Sequence, residues 1–391
     1  MRILGVAVAN GFASEARVFA TLLAHRGQAY DALVLHQARR DEAGVPEAAC
    51  RRFAAASGAD VLPADFGWRD SRGVHMSRLQ RGLAFARLHA ALPLLVPRVR
   101  AFKPDLVYSS QQRWDCYVAT VLSRLLGVPQ IIHLHYNIGP WLHAQPLRRL
   151  RKARAVVCVS EFIRRQALAH GVPPARAITL YNSIAAHPEP ATGLDDLRRE
   201  LGLEPEDEVV LSAARLAPGK GHADILRAFL QATEAHPRAV LLIAGEGELD
   251  APLRALAGEL KLAGRVRFLG FRRDVPRLLA LSRVFIHPSL QEPCALALLE
   301  AAAQGVPTVA YADGGTGELV EDGTTGLLTP TGNVEELGRA LRRLLDDRAL
   351  AEQLGTAARE RVRTRFDPAT QGQAFAGLLA EIVRPPARRV G

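Results

Sequence analysis

The sequence predicts an α/β protein with two domains, each built around a mainly parallel β-sheet. Short apolar runs alternate with longer amphipathic stretches along the chain, which is the pattern of parallel strands joined by crossover helices. A chain of 391 residues is too long for a domain with one ordinary hydrophobic core and suits two domains of about 150 to 200 residues. Because 48% of the residues are hydrophobic, both domains can bury large cores.

The first half of the chain contains six predicted strands with helical patterns between them. These strands are residues 2–8, 30–35, 105–108, 130–134, 155–159 and 177–180. The N-terminal segment lacks the long apolar region of a secretory signal, so we interpret it as the first buried strand. The segment PEPATGLDD after His187 combines proline, glycine and acidic residues, which indicates an interdomain linker.

The second half restarts the alternation and predicts a second Rossmann-like sheet. Its predicted strands are residues 208–213, 239–244, 265–268, 284–287, 308–311 and 326–329, followed by helices at 334–345, 349–363 and 369–383. We therefore expect an N-terminal domain at 1–187 and a C-terminal domain at 188–366. The last segment, 367–391, is expected to form a helix with a basic tail that packs back on the N-terminal domain.

Positive charge is concentrated in the first half of the chain. Residues 1–187 hold 25 Lys and Arg against 11 Asp and Glu, whereas residues 188–391 hold 25 against 29. This asymmetry indicates an anionic partner, such as a membrane surface or an acceptor, or else a solvated basic surface. Little aromatic interleaving argues against nucleic acid. Segments 76–101 and 148–154 are basic and could press this domain against anionic lipid, or they could be core-packing elements with solvated arginines.

No membrane-spanning helix is expected, because Pro97, Arg98 and Arg100 interrupt the most apolar stretch. The four cysteines are scattered without paired spacing, which suits a reducing compartment. We therefore predict a cytoplasmic protein, with peripheral contact at the inner face of the membrane as the further expectation.

Two glutamates mark the most informative segment. Pro293 suits the first helical position and Gly305 ends the pattern, so a helix of about three turns is predicted at the carboxyl end of a strand. Glu292 precedes this helix, and Glu300 lies eight residues on, about 12 Å along its axis. Both could be surface residues. However, Glu300 lies within the apolar run ALALLEAAA, where an unpaired charge is costly.

The spacing of the two carboxylates is close to the distance between the hexose and the ribose of a nucleotide sugar. The helix N-terminus between them favours a negative diphosphate.

This segment resembles the donor-binding domain of family 4 glycosyltransferases. The resemblance is carried by the Glu-x7-Glu spacing, by GVPTV (305–309), by DGGTGELV (313–320) and by DGTTGLL (322–328). Further segments are similar to the same family: LSAARLAPGKGHADIL (211–226), AGEGEL (244–249), FLGF (268–271) and residues 156–184. The resemblance extends over about residues 102–366.

The resemblance implies the GT-B fold, in which two Rossmann-like domains face each other across a cleft. It also implies retaining transfer of a hexose-type sugar from a nucleotide-diphosphate sugar, UDP rather than GDP. The acceptor would be a glycan, a lipid-linked sugar or a small metabolite. A nucleotide-sugar epimerase or a phosphorylase on the same double fold is the alternative.

The resemblance also implies residue roles. Arg215 and Lys220 would clamp the donor diphosphate, Glu292 would bind the transferred sugar, and Glu300 would bind the ribose. The other donor-binding residues would be Gly11, Pro293, Cys294, Ala295, Leu296, Gly314 and Gly315. The sequence has no Asp-x-Asp motif, so we expect basic residues to replace a metal ion and no cofactor beyond the donor.

In the first domain, His135 ends a predicted strand and matches the histidine that the family places beside the donor sugar. We expect its neighbour His133 to point to the other face of the strand. Two departures from the family pattern are visible. The first turn keeps only Gly11 of the usual glycine pair, and Cys294-Ala295 replaces the Phe-Gly of many relatives, which leaves the hexose open.

Overall fold

The computed structural model describes residues 1–7, 14–37, 48–66, 77–110, 114–140, 142, 144–184 and 192–383. The chain divides into two compact units. The first comprises Met1–Asn182 with Pro368–Gly391, and the second comprises Ser183–Asp367. The predicted domain boundary after His187 lies outside the described residues.

Each unit contains one sheet in which neighbouring strands are parallel. The strands of the first sheet are β1 (Arg2–Ala7), β2 (Asp31–Gln37), β3 (Asp60–Ala64), β4 (Leu106–Ser109), β5 (Gln130–Leu134), β6 (Ala155–Cys158) and β7 (Ala177–Thr179). Those of the second are β8 (Glu208–Ala213), β9 (Ala239–Ala244), β10 (Val266–Gly270), β11 (Val284–His287), β12 (Thr308–Tyr311) and β13 (Gly326–Thr329). The orders are β3-β2-β1-β4-β5-β6-β7 and β10-β9-β8-β11-β12-β13, so each is a doubly wound sheet.

Helices connect the strands. In the first unit they are α1 (Ser14–Ala24), α2 (Ala48–Ser57), α3 (Arg78–Phe102), α4 (Trp114–Leu126), α5 (Ala144–Lys152) and α6 (Glu161–Ala169), with a 3₁₀ turn at Pro174–Arg176. In the second they are α7 (Leu194–Glu200), α8 (His222–Ala232), α9 (Asp250–Glu259), α10 (Val275–Leu281), α11 (Leu296–Ala303), α12 (Thr316–Leu319), α13 (Val334–Asp346) and α14 (Arg348–Arg365). The last helix, α15 (Pro368–Val383), belongs to the first unit.

The C-terminal helix α15 packs into the core of the first unit. Its Phe375 ring meets Tyr108 edge-on with 5.6 Å between centroids, and Phe19 stacks on Tyr108 at 4.2 Å. A Cβ added to Gly372 would lie 2.7 Å from the Cβ of His25, so α15 approaches the end of α1 closely. The last helix is therefore a structural part of the first unit.

Fully buried strands explain the apolar runs in both units. All six residues of β9 and all four of β4 are buried, as expected where helices cover both faces of a parallel sheet. Helix ends follow local capping. The side chain of Asn333 accepts from the backbone N–H of Glu336 to begin α13, and Asp347 does the same for Leu350 at α14.

The predicted fold class is confirmed, and all twelve predicted strands are present. The prediction missed β3. This strand lies at the edge of its sheet, is only partly buried and contains Pro63, which edge strands tolerate because one side of the strand needs no ladder hydrogen bonds. It therefore lacks the continuous apolar run of the central strands.

The structure also corrects the expectation for α3. Pro93 and Pro97 lie inside this helix and do not end it, so the helix runs for 25 residues. Its segment Gly82–Phe102 is long and apolar enough, by length and composition alone, to cross a membrane, and 22% of its apolar stretch is buried in the protein. Pro97 therefore does not interrupt this helix as the sequence predicted, although length and composition alone do not show that the helix spans a membrane.

Candidate active site

The candidate site lies at the switch point of the second sheet, where the strand order reverses between β8 and β11. These strands are parallel neighbours, so the loops that follow them leave the sheet at the same edge. The two loops contact each other. The backbone N–H of Leu290 donates to the Gly219 carbonyl at 2.7 Å, and Ser289 Oγ lies 3.4 Å from the same carbonyl oxygen. The topology thus brings two separate sequence motifs together.

Glu292 is the centre of this contact. Its Oε2 accepts from Lys220 Nζ at 2.6 Å and from Ser289 Oγ at 2.8 Å. His287 Nε2 lies 3.7 Å from the same oxygen, beyond hydrogen-bond length. Glu292 is 9% exposed, whereas the Lys220 side chain is 30% exposed. A buried carboxylate is therefore paired with a cation that still reaches solvent.

Glu292 is ionised in this environment. Burial alone would raise the pKa of its carboxyl, but the adjacent His287 imidazole and the Lys220 ammonium outweigh burial and hold the pKa well below its ordinary range. The site thus presents a fixed negative charge that can accept hydrogen bonds from hydroxyl groups.

Two glycines hold the loop that carries Glu292. The backbone N–H of Gly315 donates to the Glu292 carbonyl at 2.7 Å. Gly314 has a left-handed backbone with φ of +62°, and a Cβ there would lie 2.6 Å from the backbone N and O of Glu292. A Cβ on Gly315 would lie 2.3 Å from the Pro293 carbonyl oxygen. Only glycine fits this approach without a backbone shift.

Arg215 lies on the loop after β8 and is exposed. Within the described parts of the chain it makes no ion pair. The loop itself is held by the segment AGEGEL: Leu216 N–H donates to the Glu246 carbonyl at 3.0 Å, and a Cβ on Gly245 would lie 1.9 Å from the Ala214 carbonyl oxygen. A rigid loop therefore carries an exposed guanidinium that can bind an anion.

The structure changes the predicted helix between the two glutamates. Helix α11 begins at Leu296, with Ala295 as its N-cap, instead of at Pro293. The 1.5 Å rise per residue therefore applies only from Leu296 onward, and the 12 Å estimate does not hold. Cys294 and Ala295 are buried. Glu300 is half-buried and lies one turn after Leu296 on the same partly exposed face of the helix.

In the first unit, His135 follows β5 and is 9% exposed. Burial lowers its pKa to about 3, so the imidazole is neutral at physiological pH. Its Nε2 is buried without a hydrogen-bond partner among the residues that the structure describes. The last predicted site residue, Gly11, lies outside the described residues.

The expectation for His133 was wrong. The rings of His133 and His135 lie 4.2 Å apart between centroids, so both point to the same side. The physical reason is that residues two apart on a strand share a face. His133 is packed in the core, where its Nδ1 lies 2.6 Å from the Tyr108 hydroxyl.

Comparison with known proteins identifies the family. A family model described as "Glycosyl transferases group 1" matches residues 195–361, and one described as "Glycosyltransferase Family 4" matches residues 19–187. The chain is a family 4 glycosyltransferase. This glycosyltransferase is 27% identical over 285 residues to alpha-D-kanosaminyltransferase of Streptomyces kanamyceticus, covering 67% of this chain and 73% of that protein.

The 2-deoxystreptamine glucosyltransferase of the same organism is 28% identical over 291 residues, covering 68% of this chain and 75% of that protein. Among solved structures, Anabaena HepE has a TM-score of 0.79 at 24% identity, covering 97% of this chain and 100% of that chain. This likeness shows the GT-B fold. The family assignment does not favour the alternative of an epimerase or a phosphorylase.

Sequence reasoning missed three polar side chains of this glycosyltransferase site: Ser289, His287 and His222. His222 begins α8 and is 2% exposed, and neither ring nitrogen has a hydrogen-bond partner in the described part of the chain. Burial, with His287 and Lys220 nearby, lowers its pKa to about 4. The only sequence signal was position: His287 ends β11, Ser289 lies two residues after it, and His222 follows the Gly-Lys-Gly segment. Among the described residues, no group of three His, Cys, Asp or Glu could hold a metal ion.

Proposed function

We propose that this glycosyltransferase moves a hexose-type sugar from a UDP-sugar, with retention of anomeric configuration and without a metal ion. The acceptor is a glycan, a lipid-linked sugar or a small metabolite. One observation carries the proposal: a buried, ionised Glu292 is paired with the partly exposed Lys220 at the switch point of the second sheet.

The Lys220–Glu292 pair suits a ligand that has hydroxyls next to a diphosphate. Glu292 would accept hydrogen bonds from the sugar hydroxyls. Lys220 keeps solvent access beside Glu292, so a phosphate oxygen can become its second anionic partner. Arg215 lies on the same loop and adds a second cation. Both charges would stabilise the phosphate that leaves as the glycosidic bond breaks.

The N-terminus of α11 supplies neutral donors for the same ligand. The first backbone N–H groups of a helix lack intrahelical partners and attract anions. Residues Cys294 to Leu296 lead into this helix end. Glu300, one turn further along the accessible face, would bind the ribose hydroxyls.

We propose a same-face displacement for the chemistry. The bond between the anomeric carbon and the phosphate oxygen breaks, and a bond to the acceptor oxygen forms on the same side of the sugar. The acceptor proton passes to the leaving phosphate. The family assignment supports this reading. Catalysis would then depend on positioning and charge stabilisation instead of a covalent enzyme intermediate.

The choice of UDP has support from the fold neighbour HepE, whose crystal structures contain UDP, UDP-glucose, or UDP and glucose. The four cysteines are free and buried, which supports a reducing, cytoplasmic compartment.

A binding experiment tests the donor assignment. We expect UDP and UDP-glucose, but not GDP or GDP-mannose, to raise the thermal unfolding midpoint, because a ligand that binds only the native state stabilises it. Product anomers are then read by NMR once an acceptor is found. Stabilisation by GDP alone, or an inverted product, would contradict the proposal.

Two variants separate the roles at the site. Glu292→Gln should weaken UDP-glucose binding roughly tenfold or more while leaving UDP affinity nearly unchanged, because only the sugar contacts the carboxylate. Lys220→Met should weaken both ligands. Arg339→Met, in an exposed ion pair of α13, is the matched control. Equal losses of UDP and UDP-glucose in Glu292→Gln would sink the sugar assignment.

A further inference from the structure

Helix α3 has one long apolar face that none of the described residues covers. Its side chains Ala84, Leu88, Leu95 and Val99 are buried in the core of the first unit. The opposite face carries leucines that are 53 to 77% exposed. At 100° per residue these fall into a single line with other small apolar residues. We define this α3 stripe as Leu79, Leu83, Ala86, Ala90, Leu94 and Pro97, all exposed.

The α3 stripe has basic edges. Arg87 and Arg98 lie along one side of it, and Arg100 lies along the other, all exposed. The helix contains no acidic residue. Within the described ranges, Arg87 and Arg98 have no acidic partner. The stripe is about 27 Å long at 1.5 Å per residue, so a continuous apolar line lies between arginines.

A second basic helix lies on the same side of the sheet. Phe85 of α3 packs against the Tyr117 ring of α4 at 4.9 Å, and the Arg149 guanidinium of α5 lies 4.9 Å above that same ring. Like α3, α5 has no acidic residue. Its Arg148, Arg151 and Lys152 are exposed. The aromatic contacts therefore place α5, with its group of exposed cations, in the same layer of helices as α3 and α4.

The packing of α3 decides how it can meet a membrane. Because one face of α3 is buried in the core of the first unit, lipid cannot surround the helix, and it cannot cross a bilayer as part of this fold. An apolar line flanked by arginines suits the boundary between headgroups and acyl chains, where such helices lie in the plane of the surface.

The charge beside the α3 stripe also distinguishes between two possible partners, a second copy of this chain and a lipid surface. A second copy packed symmetrically on the same stripe would bring arginine edges against arginine edges, with no acid in α3 to compensate. An anionic lipid surface offers the opposite charge together with an apolar layer.

We propose that α3 and α5 dock this protein on an anionic phospholipid surface. The α3 stripe enters the headgroup region, and the flanking arginines bind lipid phosphates. This inference is independent of the donor and the reaction, since none of its residues belongs to the candidate active site.

Vesicle flotation tests the proposal directly. The full chain is mixed with vesicles of phosphatidylcholine alone or of an equal mixture of phosphatidylcholine and phosphatidylglycerol. We expect flotation with the anionic vesicles at low salt and its loss at high salt. Leu79→Glu/Leu94→Glu should raise the lipid concentration for half-maximal binding by roughly tenfold or more. The control Leu230→Glu/Phe271→Glu changes two exposed apolar residues of the second unit and should leave it unchanged.

A charge series completes the test. Arg87→Gln/Arg98→Gln should weaken flotation, whereas Arg238→Gln/Arg339→Gln, two exposed arginines of the second unit, should not. An unchanged thermal midpoint shows that the variants stay folded. The proposal is overturned if the protein does not float at low salt, or if the control Leu230→Glu/Phe271→Glu loses as much binding as Leu79→Glu/Leu94→Glu. It is also overturned by equal binding to neutral and anionic vesicles. It is also overturned by self-association of the wild type that Leu79→Glu/Leu94→Glu abolishes.

Discussion

Lys220→Met should destabilise the second unit more than Glu292→Gln, although the two residues form one ion pair. The reason is their unequal burial: Glu292 is 9% exposed, and the Lys220 side chain is 30% exposed. Removing the ammonium leaves a buried carboxylate whose remaining hydrogen-bond donor, among the residues that the structure describes, is Ser289. Removing the carboxylate charge leaves a cation that water can reach.

The magnitudes follow from this asymmetry. A charge-assisted hydrogen bond contributes about 1.5–3 kcal/mol, and a stranded buried charge costs more. Because water reaches this pair from the lysine side, we expect Lys220→Met to cost about 2–3 kcal/mol. Glu292→Gln should cost about 1 kcal/mol, since the amide oxygen still accepts from Ser289. The double variant should be more stable than Lys220→Met alone, because it contains no stranded charge.

Urea unfolding measures these differences with an internal control. All three tryptophans lie at positions 68, 114 and 141, within the first unit, so their fluorescence follows that unit. Far-UV circular dichroism follows both. The dichroism transition of the second unit should shift in Lys220→Met while the fluorescence transition stays in place. Arg339→Met, in an exposed pair, should leave both transitions nearly unchanged.

The pH dependence of stability tests the direction of this effect. In the wild type the pKa of Glu292 lies well below its ordinary value, so its contribution to stability is complete above about pH 5 and is lost as the pH falls further. Without the Lys220 ammonium this pKa should rise above its wild-type value, although the His287 imidazole still lowers it, and protonation then relieves the stranded charge. The deficit of Lys220→Met should therefore narrow as the pH falls through this higher pKa. A deficit that widens, or a Lys220→Met loss no larger than that of Arg339→Met, would refute the reasoning.

Three further predictions concern packing and titration. Gly314→Ala should lower the free energy of unfolding by at least about 3 kcal/mol, because strain at its positive φ adds to a backbone clash. The control Gly323→Ala, with φ of +69° and no atom within 4 Å of the added Cβ, should lower it by about 1 kcal/mol, and thermal unfolding compares the two variants. Phe375→Ala should destabilise the first unit by about 3–5 kcal/mol in tryptophan-detected unfolding, and an unshifted transition would show that α15 is not part of its core. Burial lowers the pKa of His135 from its ordinary 6.5 to about 3, so on acidification the unfolded state binds this proton first. The free energy of unfolding should therefore decrease as the pH is lowered from 6.5 to 3, by up to about 1.4 kcal/mol per pH unit. His135→Gln should make this fall shallower by one proton, and an equal slope would contradict the neutral, buried assignment.

The central strands were predictable because burial on both faces makes their sequences continuously apolar, as in β9 and β11. The edge strand β3 was not predictable, because a strand at the edge of a sheet is less buried and does not need a continuous apolar sequence. The start of α11 was misplaced for a similar reason. Proline suits a first helical turn, but the glycine contacts at Gly314 and Gly315 hold residues 292–295 in a loop.

By itself, the sequence determined the α/β class, the two sheets and the residue types that a sugar-nucleotide site needs, since periodicity and motif spacing are local properties of the chain. Only the tertiary structure decided that Lys220 and Glu292, 72 positions apart, form one partly buried ion pair, with Ser289 bonded to it and His287 beside it. It also decided that the apolar positions of α3 include a face that nothing in the described protein covers. The physical reason is the same in both cases: pairing and exposure depend on which elements the sheet order brings together, and no local pattern encodes that order.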